Sequence, residues 1–578
     1  MNRRRIISAI VAFGLSFALA IACTWPTILH PTELVVGDPQ SDIWSHLWGY
    51  WRTERDFLGR GVLPYDEPFL NYPYGGTLYH VDLLNSLYML PLTALVGRIA
   101  AFNMLVWIQL GFAGLTMHLL LFELTKREKE SVFFALLFVL SPFVLSFVLG
   151  SGVSERLHFG LLPLYFLFLR RLGQGVGIHC ALFCGLTFAL ATLGCWHYGL
   201  FLFQMTAFWG LYRMIAYPNR LKTIFTQLVP VALFCAASAL PIAQLASGSA
   251  KVGERDSFVQ REHMLFWDGS VPLFPQNTFS LMDFFRVGAD GLYTQSYFDE
   301  LQLTVYMGLV LPVLMLLGFF YRETRFFALA GCAFATLSLG PKVHFDDGIF
   351  VTYSWFYHFL TMVSPYMSGL DEPFEHSLPQ RLFMILAAVG VLVRWSKNWR
   401  GVSWLFAAVL FFESVFLTPS ELPIAHSEAK AHSFYNMIEQ QDGEFAVMDF
   451  PTRRMGTALF PGEYFYFQTI HKKPIPHAVD AGWLREDPLW MELDDSVQGD
   501  GASLIFDELL GPCRQGATRG CGYVDRIEAE QKKKGIRYII LHRRQMKFTK
   551  LEQFMTLFER AFGEPILNDS ELVVYLVD

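Results

Sequence analysis

The sequence is poor in charge. Only 17% of its 578 residues are Asp, Glu, Lys or Arg, whereas 53% are hydrophobic. A soluble protein of this length would need more polar surface, so the composition predicts an integral membrane protein. The net charge is −7 and no long Lys/Arg tract is present, so the sequence lacks the electrostatic footprint of a nucleic-acid-binding protein.

The eight cysteines lack metal-ligand spacing, which gives no indication of a metal site. Six lie in apolar runs, where a cysteine behaves as a small buried hydrophobe: Cys23, Cys180, Cys184, Cys195, Cys235 and Cys332. The other two, Cys513 and Cys521, flank the polar stretch RQGATRG near the C-terminus. They are predicted to form a disulfide if this part of the chain lies outside the cytoplasm.

The N-terminus reads MNRRR and is followed by apolar residues from Ile6 to about Leu29. A helix of that length spans a bilayer, whereas the apolar region of a signal peptide is shorter, so we predict an uncleaved anchor. The alternative is a lipoprotein cleavage site, which LAIAC ending at Cys23 faintly resembles.

Eleven apolar runs are candidate membrane spans. They cover about 6–29, 100–122, 131–149, 158–169, 179–194, 197–215, 223–245, 302–320, 326–340, 381–396 and 402–418. Basic residues fall on alternate connections, which the positive-inside rule assigns to the cytoplasm. The opposite side then receives the long loops 30–99, 246–301 and 341–380 and everything after about Thr418, with the short apolar segment Leu84–Val96 as an interfacial or re-entrant piece.

The C-terminal region changes character. EFAVMDF, RYIILH and LVVYLV are predicted strands, and helical patterns lie between them. We therefore predict a polytopic α-helical membrane domain over residues 1–418 and an extracytoplasmic α/β domain over 419–578.

The first outer loop contains GDPQSDIWSHLWGYWR, in which Asp38 and Pro39 are suited to begin a helix. At about 100° per residue, three tryptophans share one face, predicted to lie toward lipid: Trp44, Trp48 and Trp51. Asp42 and His46 fall on the opposite face, toward water or a cavity. The alternative is that Asp38 is only a cap and Asp42 only a solvated polar residue.

The rest of this loop is rich in aromatic and small polar residues, among them Tyr74, His80 and Asp82. Such residues suit a sugar site, because apolar ring faces stack while hydroxyl groups need donors and acceptors. They equally suit an ordinary interfacial loop.

Several motifs together resemble the C superfamily of membrane glycosyltransferases, GT-C. They are GDP…SD…W…W…W, LPY…YPYGGTLYHVD, LPLTALVGRIAAFN, LSPFVL…HFGLLPLYFLFLRRL, LSLGPKV, LPQRLFMILAAVGVLV, EFAVMDFP, YFQTIHKKPIPHAV, GIRYIILHR and ELVVYLV. The resemblance is to large bacterial members, and more distantly to protein O-mannosyltransferases and oligosaccharyltransferase catalytic subunits. It covers nearly the whole chain, although each motif alone is weak.

The resemblance implies a polyprenyl-phosphate-linked sugar donor, an envelope lipid, polysaccharide or protein as acceptor, and transfer with inversion. It places the protein in the bacterial cytoplasmic (inner) membrane with its active site facing the periplasm. The general base would be an acid of the first outer loop, either Asp38 or Asp42. The loop departs from the O-mannosyltransferase pattern, because its only Asp-Glu pair, Asp66/Glu67, comes much later.

Further binding residues are predicted outside this loop. Arg381 begins the tenth span on its outer side and is assigned to the lipid phosphate, with an interfacial anchor as the alternative. Glu155 and His158 in SERLHF are assigned to substrate, with a solvated turn as the alternative. The acid-rich loop 246–301 could bind a divalent cation, Mg²⁺ or Mn²⁺, together with Asp38 or Asp42, although no ligand spacing supports it.

Two other classes of function stay open. A transporter or flippase for a lipid or polymer should carry ionisable residues in the middle of its spans, and Glu413 is the clearest such residue. A non-catalytic envelope scaffold would keep the same fold. The acids concentrate in the outer loops, which favours the enzyme.

Overall fold

The computed structural model describes residues 3–62, 66–77, 82–175, 177–250, 279–296, 300–346, 349–363, 367, 373–396, 401–452, 461–477, 523–546 and 548–577. The predicted disulfide cysteines, Cys513 and Cys521, lie outside these residues. So does most of the loop 246–301, including its acids between positions 251 and 278.

The first part of the chain is a helical bundle. Its helices are α1 Arg3–Cys23, α2 Ile43–Arg60, α3 Leu83–Val96, α4 Arg98–Thr125, α5 Glu128–Val139, α6 Leu161–Gly173, α7 His179–Gly194, α8 Trp196–Ala216, α9 Leu221–Ala250, α10 Val310–Leu317, α11 Arg325–Ser338, α12 Trp355–Val363, α13 Ser377–Trp395 and α14 Val402–Phe416. A π-helical segment, Val144–Gly150, and a 3₁₀ helix, Ser154–Gly160, lie between α5 and α6.

Four stretches of the described residues are long and apolar enough to cross a membrane: Arg3–Cys23, Arg98–Thr125, Pro218–Ala237 and Pro373–Trp395. A fifth is obtained if α5 and the π-helical segment, which are bent by 53°, count as one broken span. Shorter apolar helices occupy the other predicted intervals, so the number of spans, about eleven, stays a prediction. The six cysteines of the apolar runs are buried or half-buried, as expected for small hydrophobes.

Short strands lie in the connections between the helices and in the chain after α14. They are β1 Leu34–Val36, β2 Asp66–Glu67, β3 Gly76–Thr77, β4 Tyr293–Ser296, β5 Glu300–Leu303, β6 Lys342–His344, β7 Phe350–Tyr353 and β8 His426–Glu428. Four of the pairs are antiparallel: β1 with β8, β2 with β3, β4 with β5, and β6 with β7. The β1–β8 pair joins the residues that follow α1 to those that follow α14.

The C-terminal region contains a four-stranded sheet of order β11-β12-β10-β9. Its strands are β9 Ala446–Phe450, β10 Ile536–His542, β11 Leu567–Asn568 and β12 Leu572–Leu576, and its helices are α15 Phe434–Glu439, α16 Glu463–His471, α17 Tyr523–Lys533 and α18 Phe548–Phe562. Strands β9 and β10 are parallel, and β12 is antiparallel to β10. The three long strands therefore lie where the enrichment in β-branched and aromatic residues predicts them.

A carboxylate of strand β9, Asp449, is completely buried. Its Oδ1 accepts hydrogen bonds from the Tyr435 hydroxyl and, at 2.9 Å, from His542 Nε2. Two further histidines, His471 and His477, lie in the same core, and we call these five residues the tail cluster. Burial lowers the pKa of both His471 and His477 to about 4, so these two side chains are neutral at physiological pH.

Candidate active site

The opening of the first outer loop is a turn, and not the helix that Asp38 and Pro39 predict. The Asp38 carboxylate accepts the Gln40 N–H at 2.8 Å. The Asp38 N–H donates to Gly150 O at 2.9 Å, and the Asp42 N–H donates to Ser151 O at 3.2 Å. Because these amides are bonded to the turn after the π-helical segment, helix α2 begins only at Ile43, with Asp42 as its N-cap residue.

The close approach of the two segments depends on glycine. Gly152 has a φ of +63°, and a Cβ atom there would lie 2.9 Å from Cβ of Ile43. Any larger side chain would therefore push the start of α2 away from the turn. The position of Asp42 is consequently set by main-chain contacts on both sides.

The tryptophan face of α2 does not face lipid. Trp44, Trp48 and Trp51 are all buried, because helix α16 of the C-terminal region covers them. The Trp48 Nε1–H donates to Gln468 Oε1 at 2.6 Å, and the Trp44 ring lies 5.4 Å from the ring of Tyr466. The helical period thus predicts correctly which residues share this face, whereas the predicted lipid contact is wrong.

The opposite face of α2 carries an ion pair. His46 Nε2 lies 2.8 Å from Glu155 Oε2 and 3.9 Å from Asp42 Oδ2. The His46 and Glu155 side chains are each only 7% exposed, whereas Asp42 is 29% exposed. Asp42 is therefore the residue of this group that is most exposed to solvent.

One turn further along α2, the Tyr50 hydroxyl donates to Asp82 Oδ2 at 2.5 Å. The same oxygen accepts from Ser154 Oγ and from Asn85 Nδ2, both at 3.0 Å. On its other side, Asp82 Oδ1 lies 3.8 Å from His158 Nε2. Asp82 also caps α3, since it accepts the Asn85 N–H.

The third part of the network centres on Arg156. Its Nη1 donates to Glu155 Oε1 at 2.7 Å, and its Nε donates to Glu375 Oε1 at 2.8 Å. His197 Nδ1 lies 2.7 Å from the other Glu375 oxygen. Glu375 is completely buried, so one guanidinium holds two carboxylates from distant parts of the chain inside the protein.

We call the residues joined by these contacts the outer network, because they come from loops predicted to face outward: Asp42, His46, Tyr50, Asp82, Glu155, Arg156, His158, His197 and Glu375. Their pairing explains their pKa values. Burial by itself would lower the pKa of His46, but Glu155, with smaller contributions from Asp42 and Asp82, raises it to about 9. His46 is therefore an imidazolium at neutral pH. Burial acts to raise the pKa of Glu155, yet Arg156 and His46 outweigh it and hold that pKa below the usual value.

The same holds around Asp82. Burial opposes ionisation, but the hydrogen bond and charge of His158, followed by the charge of His46, keep the pKa of Asp82 lowered. Burial, and then the Asp82 charge, raises the pKa of Tyr50 well above its ordinary value. Tyr50 is therefore a neutral hydrogen-bond donor to a charged carboxylate.

The network unites five of the residues predicted from the sequence: Asp42, His46, Asp82, Glu155 and His158. Asp38 lies beside it, half-exposed, with its carboxylate in its own turn. Tyr74 is exposed in the turn that follows Asn71, whose N–H donates to His477 O in the C-terminal region. His80 lies outside the described residues.

Arg381 lies inside the bundle. Its Nη1 donates to Met307 O at 2.8 Å and its Nη2 to Ser414 Oγ at 3.0 Å. It also borders a small pocket between α13 and the residues just before α10. A buried guanidinium is not an interfacial anchor, so that alternative is wrong. The lipid-phosphate role stays a prediction.

Two other acids have structural partners. Glu67 of the Asp-Glu pair is buried and accepts from Arg52 Nε at 2.7 Å, so it is occupied within the loop. Glu413, the ionisable residue on which a transporter would rely, accepts the main-chain N–H groups of Leu309 and Val310. It stabilises the start of α10, where these amides have no helical partner.

The described residues do not fit a divalent cation. No three His, Cys, Asp or Glu side chains among them come together as metal ligands do. The carboxylates of the network already bind cations or donors of the protein: Glu155 and Glu375 bind Arg156, and Asp82 binds Tyr50 and Asn85. We therefore derive no step through a metal.

Sequence reasoning missed Tyr50 and Glu375. Tyr50 follows His46 by four residues, so the same helical period that placed His46 would have placed it on the polar face. Glu375 had a signal as well, because PFEHSLPQR puts an acid and a histidine directly before an apolar span. What the sequence did not contain is the pairing of Glu375 with Arg156, 219 residues away.

No protein-family model and no curated protein sequence matches the chain. Several solved structures do match the chain. Oligosaccharyltransferase AglB from Archaeoglobus fulgidus, in complex with an inhibitory peptide and a dolichol-phosphate, is 12% identical, with a TM-score of 0.46 over 97% of this chain and 71% of its own. An Archaeoglobus fulgidus oligosaccharyltransferase in complex with Zn and sulfate is 11% identical, with a TM-score of 0.48 over 96% of this chain and 70% of its own.

ArnT from Cupriavidus metallidurans, bound to undecaprenyl phosphate, is 9% identical, with a TM-score of 0.40 over 100% of this chain and 99% of its own. AglB and ArnT are GT-C membrane glycosyltransferases, the superfamily that the sequence motifs resemble. With TM-scores below 0.5, the likeness carries no functional argument. The case for function therefore rests on the residues of the chain itself.

Proposed function

We propose that the protein is a membrane glycosyltransferase that moves a sugar from a polyprenyl-phosphate donor to a hydroxyl group of an extracytoplasmic acceptor, with Asp42 as general base. The observation that carries the proposal is the exposure of Asp42. Its side chain is 29% exposed, whereas those of Glu155, Asp82 and Glu375 are between 0% and 7% exposed. Among the acids that the structure describes, only Asp42 combines contact with the buried network and access to an incoming hydroxyl.

The chemistry is a single displacement. The acceptor oxygen attacks the anomeric carbon from the face opposite the lipid phosphate, while its proton passes to the Asp42 carboxylate. The bond between the anomeric carbon and the phosphate oxygen breaks, the lipid phosphate leaves with the electron pair, and the anomeric centre inverts. Asp42 then releases the proton to solvent, to which it is open.

The neighbours of Asp42 have supporting roles. His46 Nε2 lies 3.9 Å from Asp42 Oδ2, and this ion pair holds the Asp42 carboxylate at the edge of the network. Glu155 holds His46 in place and Arg156 holds Glu155. Asp38 is less suited to be the base, because its carboxylate closes the turn with Gln40 and no ion pair of the network reaches it among the described residues.

The test compares the two aspartates in one background. A deletion strain is complemented with wild type, Asp42→Asn or Asp38→Asn at equal protein levels, and the envelope glycans are profiled by mass spectrometry. We expect a sugar to disappear on deletion and to return with wild type and Asp38→Asn, but not with Asp42→Asn. Removal of a general base costs about 10²–10⁴-fold in rate.

Asp38→Asn is the matched control, because it makes the same chemical change four residues away. Restoration by both variants would show that neither aspartate is the base. A glycan profile that deletion leaves unchanged would argue against the transferase itself and favour the transporter or the scaffold.

A further inference from the structure

The connection between α11 and α13 contains the β6–β7 hairpin followed by helix α12, and we call these elements the hairpin–helix unit. Nearly all the large side chains of its second strand and of one face of its helix are exposed. The exposed apolar residues are Phe345, Ile349, Phe350, Val351, Tyr353, Trp355, Phe359, Met362 and Val363. A contiguous apolar surface of this kind outside a spanning helix marks a site of interaction.

Helix α12 is amphipathic. Trp355, Phe359 and Met362 recur at helical spacing and are 77%, 57% and 83% exposed, whereas Tyr357 and Thr361 between them are buried. The helix contains no Asp, Glu, Lys or Arg. The exposed positions of the helix are therefore all apolar, with a tryptophan at the start, and His358 at the border of this face is half-buried.

The unit is fixed at the end of the helical bundle. The Ser354 N–H donates to Pro341 O at 2.9 Å. Pro341 lies only three residues beyond the end of α11. The Phe356 ring, at the start of α12, packs 5.8 Å from Phe208 of α8. Both α8 and α11 expose apolar side chains of their own, such as Phe203 and Leu329, so the unit extends the apolar surface of the bundle.

The unit lies on the same side of the membrane as the candidate active site. The connection that holds it continues to the 3₁₀ turn Pro373–His376, where Glu375 pairs with Arg156. A helix that begins with Trp, exposes Phe and Met and lacks charge has the composition of a membrane interface.

We propose that α12 and strand β7 form an interfacial anchor, with Trp355, Phe359 and Met362 inserted among the lipid acyl chains of the leaflet next to the active site. The partner is the lipid surface itself. The inference does not depend on the transferase chemistry, because an outward-facing transporter or scaffold with this structure would insert the same face.

The test places a photoreactive amino acid, p-benzoylphenylalanine, at position 362 or at position 437 of the full chain. Met437 is the matched control, since it is also an exposed methionine but lies on α15 of the C-terminal region. The protein is reconstituted in phosphatidylglycerol–phosphatidylcholine nanodiscs and irradiated, and the adducts are identified by mass spectrometry. We expect a lipid adduct at position 362 and none above background at position 437.

Other adducts at position 362 would overturn the proposal. A crosslink to residues 251–278 would mean that the chain covers its own patch, and a crosslink to a second copy would mean that the patch is a dimer interface. Equal lipid adducts at both positions would show nonspecific capture, and no lipid adduct at 362 would show that the face does not reach the acyl chains. An adduct assay needs no enzymatic activity, so its outcome is independent of the glycan test.

Discussion

The outer network and the tail cluster both contain buried carboxylates, and the protein neutralises them in different ways. In the outer network, Glu155 and Glu375 share Arg156, and the protonated His46 adds a second cation. In the tail cluster, the single carboxylate of Asp449 is held by a tyrosine hydroxyl and a histidine and is closed off from solvent. Burial of an acid alone therefore does not mark a site; the outer network differs because it balances several charges and opens to solvent at Asp42.

The largest expected effect on stability comes from removing the cation that Glu155 and Glu375 share. Arg156→Ala leaves two buried carboxylates without their shared cation and should lower the free energy of unfolding by about 3–5 kcal/mol. Thermal unfolding in nanodiscs measures it. The control is Arg171→Ala, because Arg171 is 39% exposed and its partner Glu123 lies 3.4 Å away, so its loss should cost about 1 kcal/mol or less. Equal effects of the two variants would contradict the balance that we describe.

The second effect is a pH dependence of the outer network. The pKa of His46 is 6.5 in the unfolded chain and about 9 in the folded one, a difference worth about 3 kcal/mol. Because the folded pKa is raised, this stabilisation is complete below about pH 6.5 and is lost as the pH rises through 9. Melting temperatures between pH 6 and 9.5 should fall for the wild type and much less for His46→Gln. Parallel curves would refute the ion pair.

The tail cluster should behave in the opposite way. Burial opposes ionisation of Asp449, but the hydrogen bond and charge of His542, followed by the hydrogen bond of Tyr435, hold the pKa of Asp449 below 3.8. Its contribution to stability is therefore present above about pH 4 and lost as the pH falls below that value. Asp449→Asn should destabilise the sheet by about 1–3 kcal/mol at neutral pH, read as faster hydrogen exchange in peptides covering β9 and β10.

A control for that experiment comes from Glu439, whose carboxylate pairs with Lys472 at the surface, with both side chains between 37% and 52% exposed. Glu439→Gln should leave exchange in β9 and β10 unchanged. Exchange that rises equally in both variants would place the effect in the region as a whole and not in the tail cluster.

The smallest expected effect concerns the contact between helix α2 and helix α16 of the C-terminal region. Trp48→Phe keeps an aromatic ring but loses the 2.6 Å hydrogen bond to Gln468, which should cost about 1 kcal/mol of stability. Trp196→Phe is the control, because Trp196 is 42% exposed. We expect the melting temperature to fall for Trp48→Phe and to stay unchanged for Trp196→Phe. An unchanged value for Trp48→Phe would show that the hydrogen bond does not stabilise the contact between α2 and α16.

Local periodicity accounts for what the sequence could predict. The spacing of Trp44, Trp48, Asp42 and His46 correctly separated two faces of one helix. The enrichment in β-branched and aromatic residues correctly located the strands β9, β10 and β12. The helix start was wrong because main-chain bonds to residues 150 and 151, far away in sequence, hold Asp38 and Asp42 outside the helix. The packing of helix α16 on the tryptophans and the pairing of Arg156 with Glu375 are likewise tertiary contacts. No local sequence pattern contains information about them.

The β1–β8 pair has a consequence for how the protein is made. It joins the chain just after the first span to the chain just after the last helix of the bundle, and Ser427 Oγ donates to Gly37 O across 390 residues of sequence. A ribosome releases Gly37 long before Ser427, so the segment leading into α2 must wait for nearly the whole bundle before it gains this partner. The candidate active site is therefore completed late in synthesis, and a chain that stops before β8 should insert its helices without assembling the site.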